Sequence, residues 1–278
     1  MSGSRPGAHR RGRSTLRAVG WVVAVYVLFC VAGCLGYRTF LYPAPSDASF
    51  TSPPGARVLT LRAADGALTM AAQLPPPAPE ARTIVVFHGN GETIENRVPL
   101  AEALHARGFG VVLAEYRGYG LARDSGRPDE AGIYRDAAAV LDELARQGIG
   151  HEKVVLLGIS LGTGVAVEMA VRDRAAALVL VSPYTSITAL AARMLPLLPT
   201  RWLCPDKYDT LSKAPRVAVP TLVIHGDQDE VVPFAMGQQV AAAIRGARMK
   251  VIPGGHHNDL FRTHAWEIED AIAEAARR

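Results

Sequence analysis

The sequence predicts an α/β fold: a mostly parallel central sheet with helices on both faces and a small helical cap, preceded by one N-terminal hydrophobic helix. Three observations predict it. Short apolar runs rich in β-branched residues alternate with helix-length segments. Those runs stay apolar over about four to six consecutive positions, as strands buried on both faces do. Polar, glycine-rich clusters follow them directly, at the strand ends where open parallel sheets bind ligands. With 278 residues and 49% apolar side chains, the chain supports one full-sized core and falls short of two ordinary domains. Charged residues make up 20%, too many apolar neighbours for wholesale disorder.

The elements divide the chain in order. Residues 1–17 form a basic tail, with Arg5, Arg10, Arg11, Arg13 and Arg17 and no acid. Residues 18–37 carry no charge. At ~1.5 Å per residue they reach about 30 Å, the thickness of a bilayer core. The arginines precede this run, and Trp21 and Tyr37 sit near its two ends. A single-pass anchor is therefore expected, with a cytoplasmic N-terminus and the remainder extracytoplasmic. Two other readings compete. Val31-Ala32-Gly33-Cys34 resembles a bacterial lipobox, which would anchor the protein through a lipid on Cys34. The same basic-then-apolar order also fits a cleaved secretory signal and a free secreted form.

Residues 38–54 are rich in proline and serine and read as a linker. The domain proper is expected at 55–278. Runs 57–62 and 68–74 alternate around Asp65-Gly66, a hairpin signal. Strands are then predicted at 83–87, 111–114, 154–159, 178–181, 221–224 and 249–252. Helices are predicted at 94–106, 130–147, 161–172, 235–245 and 264–276, two of them stopped by Gly108 and Gly148. Residues 183–218 break the alternation, being long, apolar and proline-interrupted. They read as the cap, inserted over the sheet edge. Leu195, Leu197, Leu198 and Trp202 are expected to pack that cap onto the sheet; an acyl pocket or a membrane contact is their second reading.

Charge and cysteine content exclude several classes. Once the five tail arginines are set aside, the rest of the chain is close to neutral and has no basic stripe. Nucleic acid is thus not an expected partner. Three cysteines without a C-x-x-C pair suit neither a disulfide framework nor a zinc site. Cys204 reads as a small buried hydrophobe.

The polar clusters carry the chemistry. Gly158-Ile159-Ser160-Leu161-Gly162 is a G-x-S-x-G pentapeptide that follows a predicted strand and opens a predicted helix. That setting makes a sharp turn exposing a serine hydroxyl at a helix N-terminus, where N–H groups favour negative charge. A serine needs a base, and a base in the order Ser…Asp…His falls after the last strand, at His256 or His257. The acid follows the preceding strand, at Asp227 or Asp229, with Glu230 less favoured. His88 and His225 directly end strands and read as structural imidazoles. Arg117, in Tyr116-Arg117-Gly118-Tyr119-Gly120, reads as a loop organiser. His225, Asp227, Asp229, His256, His257 and Asp259 are all possible metal ligands, but a metal site would leave the Ser160 turn unexplained.

The stretches FHGNGETIENR, EYRGYGLARDSGRPDEAGIYRDAAAVLDEL, LLGISLGTGVA, PTLVIHGDQDEVVPF and PGGHHNDLF stand in a definite order. In them the chain resembles the membrane-tethered α/β-hydrolases of the serine hydrolase superfamily, which include bacterial members and eukaryotic α/β-hydrolase-domain depalmitoylases. The resemblance runs from about residue 42 to the C-terminus. It implies an α/β-hydrolase fold and hydrolysis of a carboxylic ester or thioester through an acyl-enzyme. The family's G-x-x-D-x-x-V-P pattern, matched from Gly226 to Pro233, implies Asp229 as the acid. The family's histidine just before Asn-Asp implies His257; His256 stands where relatives usually carry glycine. The resemblance further implies Ser160 as nucleophile and the backbone N–H groups of Asn90 and Leu161 as the oxyanion hole. No cofactor and no metal are implied. The partners expected are a small-molecule or lipid-like acyl substrate and the membrane. An aminopeptidase-like amide hydrolase and a non-catalytic binding protein on the same scaffold are the alternatives.

Overall fold

The structure, a computed structural model, describes residues 8–45 and 49–278. Eight strands form one sheet: β1 (Arg57–Arg62), β2 (Leu68–Leu74), β3 (Thr83–Phe87), β4 (Gly110–Ala114), β5 (Val154–Ile159), β6 (Ala177–Val181), β7 (Thr221–Gly226) and β8 (Arg248–Ile252). Their order is β1-β2-β4-β3-β5-β6-β7-β8. The β1–β2 hairpin and the β2–β4 pair are antiparallel, and every later pair is parallel. The strands fall where the sequence predicts them, within about two residues at each end.

The helices are α1 (Ala8–Leu41), α2 (Val98–Ala106), α3 (Glu130–Arg146), α4 (Leu161–Val171), α5 (Ile187–Met194), α6 (Thr200–Leu203), α7 (Thr210–Lys213), α8 (Phe234–Ala243), α9 (Leu260–Thr263) and α10 (Ala265–Arg277). The predicted helix at 94–106 begins instead as a 3₁₀ turn, Ile94–Arg97, and the α-helix starts at Val98. Pro99 explains the break. It has no N–H to give, so it is tolerated only in a first turn.

Side-chain alternation along the buried strands builds two cores. Val85, Phe87, Leu156 and Leu180 face one layer with residues of α3, α4 and α8. Ile84, Val86, Leu157 and Val179 face the other with residues of α2 and α10. Both faces being covered, β3, β4, β5 and β6 are buried at every position. The edge strand β8 is not, and its outward Arg248 and Lys250 protect that edge.

Residues 183–218 hold only short pieces, α5, α6 and α7 with a 3₁₀ turn, because Pro196, Pro199, Pro205 and Pro215 interrupt them. Ser186 opens α5 by accepting the Ala189 N–H at 3.0 Å. The expectation that its leucines and Trp202 pack down on the sheet is corrected here. Leu195, Leu197 and Trp202 are exposed, and Leu198 Cδ1 lies where a Cβ added to Gly33 of α1 would touch it, at 4.0 Å.

Helix α1 contains Val19–Leu41, a stretch long and apolar enough to cross a bilayer. It continues past residue 37 because Arg38 is neutralised from the domain, 3.7 Å from Asp206 and 3.5 Å from Asp129. The Tyr37 and Tyr42 hydroxyls both donate to Asp206 Oδ2, at 3.0 and 3.1 Å. The end of α1 is thus tied to the cap.

Candidate active site

Parallel pairing brings the carboxyl ends of β3, β5, β6, β7 and β8 to one edge, with Phe87 opposite Gly158 and Ile159 opposite Val181. Ser160 follows β5 there. Its φ of 49° and ψ of −114° lie where few side-chain-bearing residues sit, at a cost on the order of 1–3 kcal/mol. The turn is held by its neighbours. Ser160 N–H donates to Val181 O at 2.9 Å, and Thr163 N–H and Oγ1 donate to Ser160 O. Two glycines make it possible. A Cβ on Gly158 would come within 2.6 Å of Thr163 Cα, and one on Gly162 would collide with the Phe87 carbonyl.

The loops after β7 and β8 meet beside this turn. A side chain on Gly226 would run into the backbone of Gly255, so both loops approach only because these positions are bare. His257 Nε2 lies 3.0 Å from Ser160 Oγ, and His257 Nδ1 lies 2.8 Å from Asp229 Oδ2. Asp229 Oδ1 accepts the N–H groups of Val231 at 3.1 Å and Val232 at 2.7 Å. Burial pushes the Asp229 carboxyl up. Hydrogen bonds from His225 and His257 and the Val232 N–H outweigh it and hold the group well below the usual carboxylate range. An ionised Asp229 accepts from Nδ1–H, which leaves Nε2 free to accept the serine proton.

The residues that spacing left undecided separate in space. Asp227 Oδ1 accepts Gly254 N–H at 2.7 Å and braces the loop. His256 is half exposed and faces Glu230 at 3.1 Å. Glu230 also takes the His257 N–H at 3.4 Å. His225 donates from Nε2 to Val232 O at 2.9 Å and stands 3.4 Å from Asp229 Oδ2. Its Nδ1 has no partner among the described residues. The sequence reads His225 as a structural imidazole and Glu230 as a less favoured acid; the structure sets His225 beside Asp229 and Glu230 beside His256 and the His257 N–H. His225 lies four residues before Asp229, near the end of β7, and Glu230 directly follows Asp229.

On the other side stands the loop after β3. His88 is buried, with Nδ1 donating to Gly89 O at 2.8 Å and Nε2 2.9 Å from Glu115 Oε1. Tyr116 OH donates to His88 O at 2.9 Å. Asn90 Oδ1 accepts from Tyr119 OH at 2.9 Å, and Gly91 turns the chain with φ +70°. These contacts fix the loop in front of Ser160. The N–H groups of Asn90 and Leu161 donate to no acceptor among the described residues. Asn90 and Ser160 line one cleft, whose outer wall includes Glu92, Arg97 and Phe261. Arg97 pairs with Glu92 through Nε and Nη2 and lies 4.5 Å over the Phe261 ring. Glu92 in turn accepts Gly89 N–H at 3.3 Å. The sequence gave no sign of this pair.

Arg117 organises loops, as read. It donates to Asp136 at 2.7 Å and to Asp65 of the β1–β2 turn at 2.7 Å. Cys204 is buried, and burial pushes its thiol up to about 11. Among the described residues no group of three or more His, Cys, Asp or Glu side chains is arranged to hold a metal ion.

Comparison with known proteins agrees with this architecture. An uncharacterized protein of Mycobacterium tuberculosis is 40% identical over 191 residues, 68% of this chain and 67% of the relative. The α/β-hydrolase domain-containing protein aho-3 of Caenorhabditis elegans is 35% identical over 200 residues, 69% of this chain and 57% of that relative. Residues 78–208 match the family model described as serine aminopeptidase, S33. The chain belongs to the α/β-hydrolases. Solved α/β-hydrolase structures share the fold: an Exiguobacterium antarcticum esterase superposes with a TM-score of 0.62 at 19% identity, over 79% of this chain and 99% of that one. The Pyrococcus furiosus esterase Pf2001 gives 0.70 at 17% identity, over 84% and 98%. The chain thus shares the fold of these esterases.

Proposed function

We propose that this α/β-hydrolase is a serine hydrolase that cleaves carboxylic esters or thioesters through an acyl-enzyme. One observation carries the reading: the unbroken chain Ser160 Oγ–His257 Nε2, His257 Nδ1–Asp229 Oδ2, at 3.0 and 2.8 Å. His257 takes the Ser160 proton as Oγ attacks the carbonyl carbon. Asp229 fixes the imidazole tautomer and stabilises the imidazolium. The N–H groups of Asn90 and Leu161 receive the oxyanion, each worth about 2.7–4 kcal/mol in the transition state. Collapse expels the alcohol or thiol, protonated by His257. Water, deprotonated by the same imidazole, then releases the acid and restores Ser160.

The test is to mix the full chain with an activated short-chain ester, quench in acid, and map the added acyl mass. The reading predicts acylation on the Ser160 peptide and none in Ser160→Ala. Acyl mass elsewhere, or none during turnover, overturns it. The match to an aminopeptidase family favours amides as a second substrate class. Matched ester, thioester and aminoacyl-amide substrates compared by kcat/KM decide between them.

We further read Val19–Leu41 as an uncleaved single-pass anchor, with the basic tail cytoplasmic and the domain extracytoplasmic. Mass spectrometry of the mature N-terminus tests this. An intact tail supports it. A lipid on Cys34, or cleavage without lipid, overturns it.

A further inference from the structure

The most exposed large apolar side chains outside α1 gather in one loop of the cap and at Trp266. Leu197 is 83% exposed, Trp202 84% and Met194 75%, and none of the three lines the cleft at Ser160. A surface this apolar on a short loop calls for an occupant. The position of the loop beside α1 identifies one.

Leu197 and Leu198 lie against the middle of the apolar stretch, not at its end. Tyr26 OH donates to Leu197 O at 2.9 Å, and Gly33 faces Leu198 Cδ1. The polar boundary lies higher, where Tyr37 and Arg38 meet Asp206 and Asp129. From Tyr26 to Tyr37 is about 16 Å at ~1.5 Å per residue. Half of a ~30 Å hydrocarbon core is the same depth. If α1 crosses a bilayer with Tyr37 at the interface, the tip of the loop stands inside the adjoining leaflet.

The loop is built for that solvent. Irregular backbone enters hydrocarbon only when its polar groups are satisfied. Pro196 and Pro199 have no N–H to satisfy. Leu195, Leu198, Thr200, Trp202 and Cys204 all donate their N–H groups within 191–204, at 2.8–3.0 Å. The Leu197 carbonyl is taken by Tyr26. Arg193 and Arg201 flank the apolar tip and are exposed, long enough to lay their stems along it and reach headgroup phosphates. Trp202 beside Arg201 is the residue type that membrane interfaces favour.

We propose that residues 194–203 form a prong that inserts into the lipid leaflet adjoining the C-terminal end of α1, so that the domain is held to the bilayer at two points and in one orientation. The proposal rests on the reading of α1 as a membrane span and is independent of the chemistry at Ser160. Two points of attachment restrict rotation about the anchor and keep the cleft at a fixed height above the surface.

The three tryptophans provide the test, because Trp21 lies in the span, Trp202 in the prong and Trp266 on α10. Three single-tryptophan variants of the full chain, the other two positions changed to Phe, are reconstituted in phosphatidylcholine–phosphatidylglycerol vesicles. Each is quenched by nitroxide-labelled acyl chains and by aqueous iodide. Circular dichroism and the Ser160 acylation assay verify that each variant is folded. The proposal predicts that Trp202, like Trp21, loses at least half its emission to the lipid quencher and resists iodide. Trp266 shows the reverse. Leu197→Asp in the Trp202 variant returns Trp202 toward the iodide-sensitive state. Trp202 open to iodide while Trp21 remains in lipid overturns the prong and leaves the span standing. Trp202 shielded from both quenchers means that protein covers it and overturns lipid as the occupant. Trp21 and Trp202 both in water overturn the span and the prong together.

Discussion

Gly162→Ala is the substitution through which the fold should most directly reach the chemistry. A Cβ on Gly162 would collide with the Phe87 carbonyl oxygen and stand 2.6 Å from Phe87 C and 2.9 Å from His88 O. All three are backbone atoms, so no side chain can swing away. Relief requires the end of β3, or the first turn of α4, to retreat by on the order of 1 Å, a misplacement worth about 10²-fold in rate. The loop that moves carries Asn90, and the helix turn carries Leu161. One oxyanion donor is worth about 2.7–4 kcal/mol. We therefore expect kcat to fall about 10²–10³-fold with KM little changed, because the donors act on the transition state. Overpacking should also lower stability by about 1–3 kcal/mol. The assay is ester hydrolysis over a range of substrate concentrations, with thermal unfolding in parallel. Gly108→Ala is the control: its φ of +95° strains the alanine, but nothing stands within 4 Å and the site is distant. It should lose stability and keep kcat. If Gly162→Ala kept wild-type kcat, the close approach of α4 to β3 would not set the oxyanion geometry and the reasoning would fail.

Further outcomes follow from individual contacts. Asp229→Asn should lower kcat about 10⁴-fold by reversing the His257 tautomer, while Asp227→Asn, whose parent braces Gly254, should cost far less; the reverse ranking in steady-state kinetics would reassign the acid. His257→Ala should abolish acylation of Ser160, and His256→Ala should retain it, since His256 faces Glu230. Hydrogen bonds from Arg117 hold the Asp65 carboxyl at about 2, against an ordinary 3.8. Its folded form binds fewer protons than its unfolded form, so its contribution to stability is present above 3.8 and is lost as pH falls through about 2. Asp65→Asn should flatten denaturant-measured stability across that window. Burial raises the buried partner Asp136 instead, which gives the opposite slope.

Much of the fold was legible because β3 to β6 are covered on both faces, and a strand with two dry faces has no polar position to blur it. The Ser160 turn was legible for a related reason. Gly158 and Gly162 are required by local backbone contacts, so they leave a local pattern. Choosing between His256 and His257 was different. Both lie in one loop, and only the resemblance distinguished them until the structure turned one to Ser160 and the other to Glu230. Contacts between distant loops left no periodic trace. His225 beside Asp229, and Glu92 bridging Gly89 to Arg97, are of this kind. So is Arg38, whose charge suggested a helix end; Asp206 and Asp129 neutralise it from the domain and let α1 run on to Leu41. The cap leucines misled because apolarity states a preference for dry surroundings and not which surroundings supply them.

The central claim is that Ser160 is an activated nucleophile. The most direct measurement is labelling of the full chain by a fluorophosphonate probe, beside Ser160→Ala and His257→Ala. The account predicts stoichiometric labelling of the wild type at Ser160, none in Ser160→Ala, and a drop of several orders of magnitude in rate for His257→Ala. A folded wild-type protein that resists the probe, or one whose label survives Ser160→Ala, would contradict it.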